Sequence, residues 1–269
     1  QGTYYYCFRY ALNGSSCYKY GGFQGGFWNG SSNVNGVLTV SGLDWANIQY
    51  PGSGSMCQGG SYNVYGQVYK ANVTNAAGAT AGLTAQIGVS SANTNPATWP
   101  ANAWSNANFN VQVGNNDEFI GTISGLAPGT YYYSFRYKLA NSCNYEYGGF
   151  NAGGGGFWNG STHQNGILTV NTSPNAYAGV DISGTSTCGK NTATMAATAL
   201  GASETGTWNW ISGTNANAVF NNPTANNSSF TGSYGGSYVL EWTVTNNQSN
   251  CSASDQVTVT LNQPNAASI

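Results

Sequence analysis

Charged side chains are scarce in this sequence. Lysine, arginine, aspartate and glutamate make up 5% of its 269 residues, and six basic against eight acidic residues leave a formal net charge of -2. A soluble globular domain typically has about 25% charged residues. No basic face is available to neutralise phosphate groups, which argues against electrostatic binding to nucleic acid or to an anionic membrane surface.

Long apolar segments are lacking as well. No run approaches the roughly 20 apolar residues of a transmembrane helix. The sequence opens at Gln1 without the charged and apolar regions of a signal peptide. We therefore expect no insertion into a membrane, and we interpret the sequence as a mature or internal segment of a secreted protein.

Catalytic patterns are missing too. The single histidine, His163, follows a glycine- and asparagine-rich stretch, and we interpret it as a solvated turn residue. No nucleophile elbow, phosphate-binding loop or HExxH motif occurs. Asp117 and Glu118 are adjacent, so on a strand they point to opposite faces and do not form a glycosidase pair; we place them at solvated strand or turn ends. The sequence predicts no enzymatic activity and no cofactor.

Metal binding is not expected either. The four aspartates that are candidate calcium ligands lack the alternating spacing of a calcium loop; they are Asp44, Asp117, Asp181 and Asp255. The six cysteines show neither CxxC nor Cys/His metal spacing, which favours disulfides in an oxidising, extracellular compartment.

Glycine and aromatic residues are abundant. The chain has 38 glycines, and 14% of it is phenylalanine, tryptophan or tyrosine. Apolar and polar residues alternate between turns rich in glycine, asparagine and proline, which predicts β-strands throughout. In residues 129–137 one face carries Tyr131, Tyr133, Phe135 and Tyr137 and is predicted to be core. The opposite face is predicted to be solvated.

An internal repeat organises the first part of the chain. Residues 2–40 match residues 129–170, beginning GTYYYCFRY in the first copy and GTYYYSFRY in the second. Phe23 aligns with Phe150 and Gly25 with Gly155, so the second copy has three extra residues in a glycine-rich loop. The second copy closes a unit that begins near Leu43, whereas the first copy has no equivalent of residues 43–128 before it.

Residues 1–40 are therefore expected to be the C-terminal half of a β-sandwich repeat. Half a sandwich exposes an apolar face and a strand edge. We predict that strands from outside this block complete it by strand addition, either from an adjacent repeat of the same polypeptide or from another copy of the chain.

The predicted fold class is all-β, with tandem immunoglobulin-like β-sandwich domains and an incomplete sandwich at the N-terminus. Residues 41–172 are assigned to a complete repeat, residues 173–262 to a second sandwich and residues 263–269 to a linker. Tyr131 and Tyr238 each follow a glycine at the start of a strand, as in the tyrosine corner of immunoglobulin-like sandwiches.

Three disulfides are predicted. The expected pairs are Cys7 with Cys17, Cys57 with Cys143, and Cys188 with Cys251. The first pair is expected to be local because Ser134 replaces Cys7 in the second copy. The second pair unites the only cysteines of the complete repeat, and the third brackets the second sandwich.

Aromatic residues set among glycines are the candidates for interaction. They are Phe27 and Trp28 in the first copy and Phe157 and Trp158 in the second, with Phe23 and Phe150 nearby. Such rings stack on sugars or form a protein-binding patch. We favour the simpler interpretation that they cap the open ends of the sandwiches.

Two groups of motifs resemble secreted surface proteins of the Bacteroidota. Residues 44–47, 114–119, 128–133, 156–160 and 168–170 resemble the β-sandwich modules of such proteins. Residues 178–181, 206–208, 220–223 and 238–242, with Cys188 and Cys251, resemble the PKD-like or immunoglobulin-like repeats of giant adhesins from the same group. The resemblance implies export by the type IX pathway and a non-enzymatic role in adhesion, gliding or extracellular fibres. A C-terminal type IX sorting domain is not recognisable.

Three functions remain open at this point. The first is a structural or adhesive extracellular protein, either a segment of a surface adhesin or a unit of a self-assembling filament. The alternative is a carbohydrate-binding accessory module of a secreted glycan-degrading enzyme, with surface polysaccharide as its partner. The third is an inert spacer. Solvent-facing aromatic rows favour sugar binding, whereas aromatic residues buried between units favour the fibre.

Overall fold

The computed structural model describes residues 2–40, 42–140, 142–214 and 218–263 of the chain. β-strands make up nearly all of the regular structure, with three short 3-10 helices at Pro96–Thr98, Ala101–Ala103 and Gly184–Ser186. The predicted all-β class is confirmed. Within these ranges no helix has the length and apolarity needed to cross a bilayer.

Residues 2–40 form four short strands: β1 (Gly2–Tyr6), β2 (Phe8–Tyr10), β3 (Lys19–Gly21) and β4 (Gly36–Val40). β1 pairs with β4 in an antiparallel two-stranded sheet, and β2 pairs with β3 in another. In the described part of the chain no strand from outside this block joins either sheet. Nearly all of the side chains of this block are exposed.

The complete repeat follows with eleven strands: β5 (Trp45–Ala46), β6 (Ser53–Cys57), β7 (Ser61–Tyr69), β8 (Leu83–Ser90), β9 (Trp104–Asn106), β10 (Asn108–Val113), β11 (Asn116–Ser124), β12 (Gly129–Leu139), β13 (Glu146–Gly149), β14 (Gly156–Phe157) and β15 (Gly166–Asn171). One sheet has the order β10-β11-β7-β5. The other has the order β14-β13-β12-β15-β6, and β8 joins it by pairing with β12 and with β9.

The inner face of β12 forms the centre of this sandwich. Tyr133, Phe135 and Tyr137 are fully buried, as the alternation predicts. Phe119 on β11, in the opposite sheet, packs edge-on against Tyr137 with ring centroids 6.2 Å apart. Gly66 on β7 leaves room for the rings of β12, because a Cβ there would overlap the Tyr137 hydroxyl.

The outer face of β12 is covered, so the prediction of a solvated face is wrong. Ser134 is fully buried. The Arg136 guanidinium lies 4.3 Å from the ring centroid of Trp104 and 4.0 Å from that of Tyr145. Trp99 packs against Trp104 at 5.5 Å. This cover comes from the 3-10 segment, from the start of β9 and from the residue before β13, which the alternation within β12 does not reveal.

The C-terminal part of the chain has six strands: β16 (Thr192–Thr194), β17 (Glu204–Gly213), β18 (Val219–Phe220), β19 (Ser229–Thr231), β20 (Ser237–Asn246) and β21 (Ser252–Thr260). They form two three-stranded sheets, β16-β19-β18 and β17-β20-β21. Alternate residues of β20 are buried in the core as predicted: Tyr238, Leu240, Trp242 and Val244.

A tyrosine corner is present in this second sandwich. The Ser233 N–H donates to the hydroxyl of the fully buried Tyr238 at 2.6 Å, which anchors the turn before β20. The prediction is therefore confirmed for Tyr238. For Tyr131 it stays a prediction.

The contacts divide the chain into two compact units. The first comprises Gln1–Gly54, Tyr62–Ile123 and Tyr131–Leu168, and the second comprises Ser55–Ser61, Ser124–Thr130 and Thr169–Ile269. The first unit holds nearly all of both copies of the repeat. The domain boundaries assigned from the sequence stay predictions.

One disulfide lies within the second unit. It joins Cys57 to Cys251 across a Cα separation of 5.5 Å and a sequence separation of 194. The predicted pairs Cys57–Cys143 and Cys188–Cys251 are therefore wrong. The pair Cys7–Cys17 is wrong as well, because four cysteines are free and exposed: Cys7, Cys17, Cys143 and Cys188. Sequence spacing misled the pairing because only the fold brings the end of β6 beside the turn after β20.

Non-reducing peptide mapping is expected to recover Cys57 and Cys251 in one cross-linked species. Replacing both by serine lowers the free energy of unfolding by about 5 kcal/mol, since the bond closes a very long loop. The control, serine at Cys143 and Cys188, changes it by less than about 0.5 kcal/mol because both thiols are exposed. A peptide joining Cys57 to Cys143 would contradict the structure.

Candidate interaction surface

Residues 2–40 reproduce the local structure of their second copy. The register of β2 with β3 equals that of β12 with β13, so each residue faces the equivalent partner. The later turn is repeated as well. The Asn29 side chain accepts the N–H groups of Ser31 and Asn33, and Asn159 plays the same part in the second copy. The first block is therefore folded like the second.

Burial of the core face differs completely between the copies. Four positions are fully buried in the complete repeat: Tyr133, Phe135, Tyr137 and Leu168. The equivalent residues are between 50% and 68% exposed in the first block: Tyr6, Phe8, Tyr10 and Leu38. Burying one Phe or Leu side chain contributes about 1.5–3 kcal/mol. The first block forgoes this stabilisation at each position.

The segment 43–51 covers part of this face in the complete repeat. The Tyr133 hydroxyl donates to the Pro51 carbonyl at 2.7 Å, and the Tyr137 hydroxyl donates to the Asn47 carbonyl at 3.2 Å. Burial raises the pKa of both phenols well above the ordinary value, so they remain neutral donors. The equivalent tyrosine hydroxyls of the first block have no hydrogen-bond partner among the described residues.

Glycines make room for that segment. Asn47 forms a parallel bridge with Gly149, and a Cβ added to Gly148 would lie 2.5 Å from the Asn47 backbone. The equivalent glycines of the first block, Gly21 and Gly22, line a groove of about 250 Å³ whose walls include Tyr6, Phe8 and Tyr10. The ring of Tyr10 leans over Gly21 in this groove.

A long strand edge is also unpaired in the first block. In the complete repeat, β8 pairs with β12 from Tyr132 to Leu139. The equivalent positions are residues 5–12, and no strand in the described ranges runs along this edge. An unpaired edge presents a row of N–H and C=O groups to which another strand can add.

The outer face of the first block is also uncovered. The Arg9 guanidinium lies 4.4 Å from the Tyr18 ring, which repeats the Arg136–Tyr145 contact. No described residue covers Arg9 as Trp104 covers Arg136. Cys7 is exposed although the equivalent Ser134 is fully buried.

One charge is reversed between the two copies. In the complete repeat the Glu146 carboxylate accepts a hydrogen bond from the Leu43 N–H at 2.6 Å. The Lys70 ammonium lies 2.8 Å from the Asp44 carboxylate, and the charges of both groups act on Glu146. Burial raises the pKa of the Glu146 carboxyl, while the Leu43 N–H and the Lys70 ammonium oppose the rise. Lys19 occupies the equivalent position in the first block.

The four aromatic residues singled out from the sequence lie in different environments. Phe27, Trp28 and Phe157 are exposed, whereas Trp158 is half-buried. Their assignment as end caps or binding residues stays a prediction. The exposed apolar face of residues 1–40 was expected from the repeat, and alignment with the predicted core face of residues 129–137 identifies three of its four residues, Tyr6, Phe8 and Tyr10.

The sole histidine has a structural contact. His163 is half-buried, and its Nδ1 lies 3.2 Å from the Phe157 carbonyl oxygen. Asn33, its counterpart, donates to the carbonyl of Phe27 at 3.1 Å. His163 lies in the turn, as expected, and its side chain is half-buried there, in contact with Phe157 of β14.

The adjacent acids lie on opposite faces of β11, as predicted, but they are not solvated ends. Asp117 is fully buried and accepts the Thr80 N–H at 3.0 Å. Glu118 accepts from the side-chain amides of Gln67 and Asn110 at 2.9 and 2.7 Å. Both carboxylates are used to hold neighbouring loops and strands.

The other candidate calcium ligands also bind backbone amides. Asp44 accepts the Ala71 N–H at 2.8 Å, and the hydrogen bond from Lys70 is the main cause that lowers the pKa of its carboxyl. Asp181 accepts from Thr258, and Asp255 from Ala178, each at 2.8 Å. Across the described ranges no three His, Cys, Asp or Glu side chains converge as a metal site would require.

Comparison with known proteins gives weak structural similarities. No family model and no curated protein matches the sequence. The chain is similar to fibronectin(III)-like modules of Clostridium thermocellum CbhA, at 10% identity and a TM-score of 0.28, over 83% of this chain and 97% of that one. It is also similar to the sialic acid binding region of a Streptococcus sanguinis adhesin, at 12% identity and a TM-score of 0.26, over 81% of this chain and 78% of that one. A third similarity is to Drosophila N-cadherin EC1-3, at 11% identity and a TM-score of 0.26, over 81% of this chain and 66% of that one. These similarities assign neither family nor function.

The internal repeat provides a matched pair of substitutions. Phe135→Ala is expected to lower the free energy of unfolding by about 3–5 kcal/mol, because it removes a fully buried ring. Phe8→Ala, the same change at the equivalent exposed position, is expected to cost less than about 0.5 kcal/mol in the isolated chain. Urea denaturation measures both. Equal losses would show that the first block has a buried core of its own.

Proposed function

We propose that this chain is a non-catalytic extracellular structural or adhesive unit, whose residues 2–40 associate by strand addition with a neighbouring β-sandwich unit. One observation carries this proposal. The core-face residues of the same strands are fully buried in one copy of the repeat and exposed in the other, although both copies have the same local hydrogen bonding. A folded sheet half with an uncovered aromatic face is suited to assembly.

Composition supports assembly. With so few charged residues, the surface offers little electrostatic repulsion between copies or neighbouring units. The aspartates and Glu118 bind backbone or side-chain amides within the chain, so they add little to repulsion at a contact. Close packing of units therefore meets little electrostatic repulsion.

An extracellular location fits the disulfide between Cys57 and Cys251, since such bonds persist in oxidising compartments. Export by the type IX pathway and membership of a surface adhesin or filament, which the resemblance to Bacteroidota proteins implies, belong to the same proposal.

A carbohydrate-binding role is the second candidate. A groove of about 240 Å³ is lined by Trp158, Gly160 and polar side chains that include Asn93, Asn95 and Asn165. An indole ring beside side-chain amides offers an apolar stacking face together with hydrogen-bonding groups. The indole N–H of Trp158 is enclosed and so is not available to a ligand, which makes this candidate the weaker one.

In the organism that produces the chain, we expect the protein in a high-molecular-mass extracellular fraction, separable by sedimentation of the medium. Phe8→Glu places a charge on the face to be buried and is expected to shift the protein into the soluble fraction by at least about tenfold, the effect of 1.4 kcal/mol. Tyr234→Glu, at an exposed tyrosine of the C-terminal sandwich, serves as the control and should behave as wild type. Wild-type protein found only as a soluble monomer, or no effect of Phe8→Glu, would contradict the proposal.

A further inference from the structure

We propose, building on the function proposed above, that residues 2–40 are completed by a front half equivalent to residues 43–124, and that this partner carries an acidic side chain at the position of Lys70, facing Lys19. Front half here means the strands β5 to β11 with their connections. The partner is thus a related β-sheet half, distinct from the front half of the chain itself.

Three features of the first block fit such a partner. The edge of residues 5–12 matches the edge that β8 pairs with on β12. The groove beside Gly21 and Gly22 lies where the segment 43–51 crosses the second copy. The exposed Arg9 corresponds to the guanidinium that Trp104 covers. Edge, inner face and outer face are all open, and in the complete repeat residues 43–124 supply the cover for all three.

Charge distinguishes the partner from the front half of the chain itself. Among the described residues, this corner of the complete repeat holds two carboxylates, Asp44 and Glu146, and the ammonium group of Lys70. With Lys19 in place of Glu146, the same front half would bring two ammonium groups to one carboxylate. It would also leave the Leu43 N–H without its acceptor, because an ammonium group only donates. An acid at position 70 removes the repulsion and gives Lys19 a partner.

A second copy of the chain is therefore a poor donor. Its residues 43–124 already cover its own residues 129–170, and they carry Lys70 to the mismatched corner. A complementary front half avoids both problems, which gives the contact a direction and a specificity.

Chimeric chains test this inference directly. Residues 42–128 are placed before Gly2 of the otherwise whole chain, because Gly2 aligns with Gly129. Four versions are compared: no substitution, Lys70→Glu in the added segment, Lys19→Glu, and both. The probe is alkylation of Cys7, followed by mass spectrometry of its peptide. Cys17 is the internal control, because its counterpart Asn144 stays exposed in the complete repeat.

Cys7 should become protected in the chimeras, since its counterpart Ser134 is fully buried. The two singly substituted chains have opposite charges at positions 19 and 70. In these two chains Cys7 should be alkylated at least about tenfold more slowly than in the unsubstituted and doubly substituted chimeras. Protection of Cys7 reflects the stability of the state in which the added segment covers residues 2–40. The difference should shrink in 1 M salt. Cys17 should react at the same rate in all four chains.

Hydrogen exchange provides a second measurement. Amides of residues 5–12 should be slowed in the singly substituted chimeras, with residues 132–139 as the reference for a folded repeat. Unchanged Cys7 alkylation and unchanged exchange in all four chimeras, with residues 132–139 still protected, would overturn the inference. Equal protection in all four would overturn the role of Lys19. Either result leaves the fractionation of Phe8→Glu as a separate test of the proposed function.

Discussion

Two buried phenols set the arrangement of the complete repeat. A tyrosine ring that is removed from water still needs an acceptor for its hydroxyl, and the Tyr133 and Tyr137 hydroxyls find theirs in the carbonyls of Pro51 and Asn47. The segment that carries these carbonyls must therefore cross the face of β12. Glycines at positions 66, 148 and 166 permit this close approach, since a Cβ at any of them would overlap a tyrosine or the Asn47 backbone.

The same requirement explains why the first block is unfinished. Its tyrosines are ready for the same burial, its glycines are in place and its turns are already formed. Nothing in the described ranges supplies its carbonyl-bearing segment or the strand along its edge. Local hydrogen bonds therefore suffice to shape the strands, whereas the aromatic face depends on a second sheet.

Much of the fold follows from the sequence, and the reasons for the failures are physical. Alternation identified the inner faces of β12 and β20, because a half-buried strand must separate apolar from polar residues. It failed for Ser134, because the aromatic cluster of Trp99 and Trp104 comes from a 3-10 segment and the start of β9, outside β12 itself. Disulfide pairing failed because proximity of Cys57 and Cys251 depends on the whole path of the chain. The alignment of the two copies was enough to locate the interaction surface. The role of Lys19 could not be predicted from it, because that role depends on which atoms contact Glu146 in the folded repeat.

The disulfide between Cys57 and Cys251 also has a mechanical consequence. Tension applied to the two ends of the chain passes from one cysteine directly to the other, across a Cα separation of 5.5 Å. The residues between them carry no load while the bond is intact. At about 3.4 Å per residue, roughly 650 Å of contour length is thereby withheld from extension. In an extracellular assembly under shear, most of the strands described above would lie outside the path of the force.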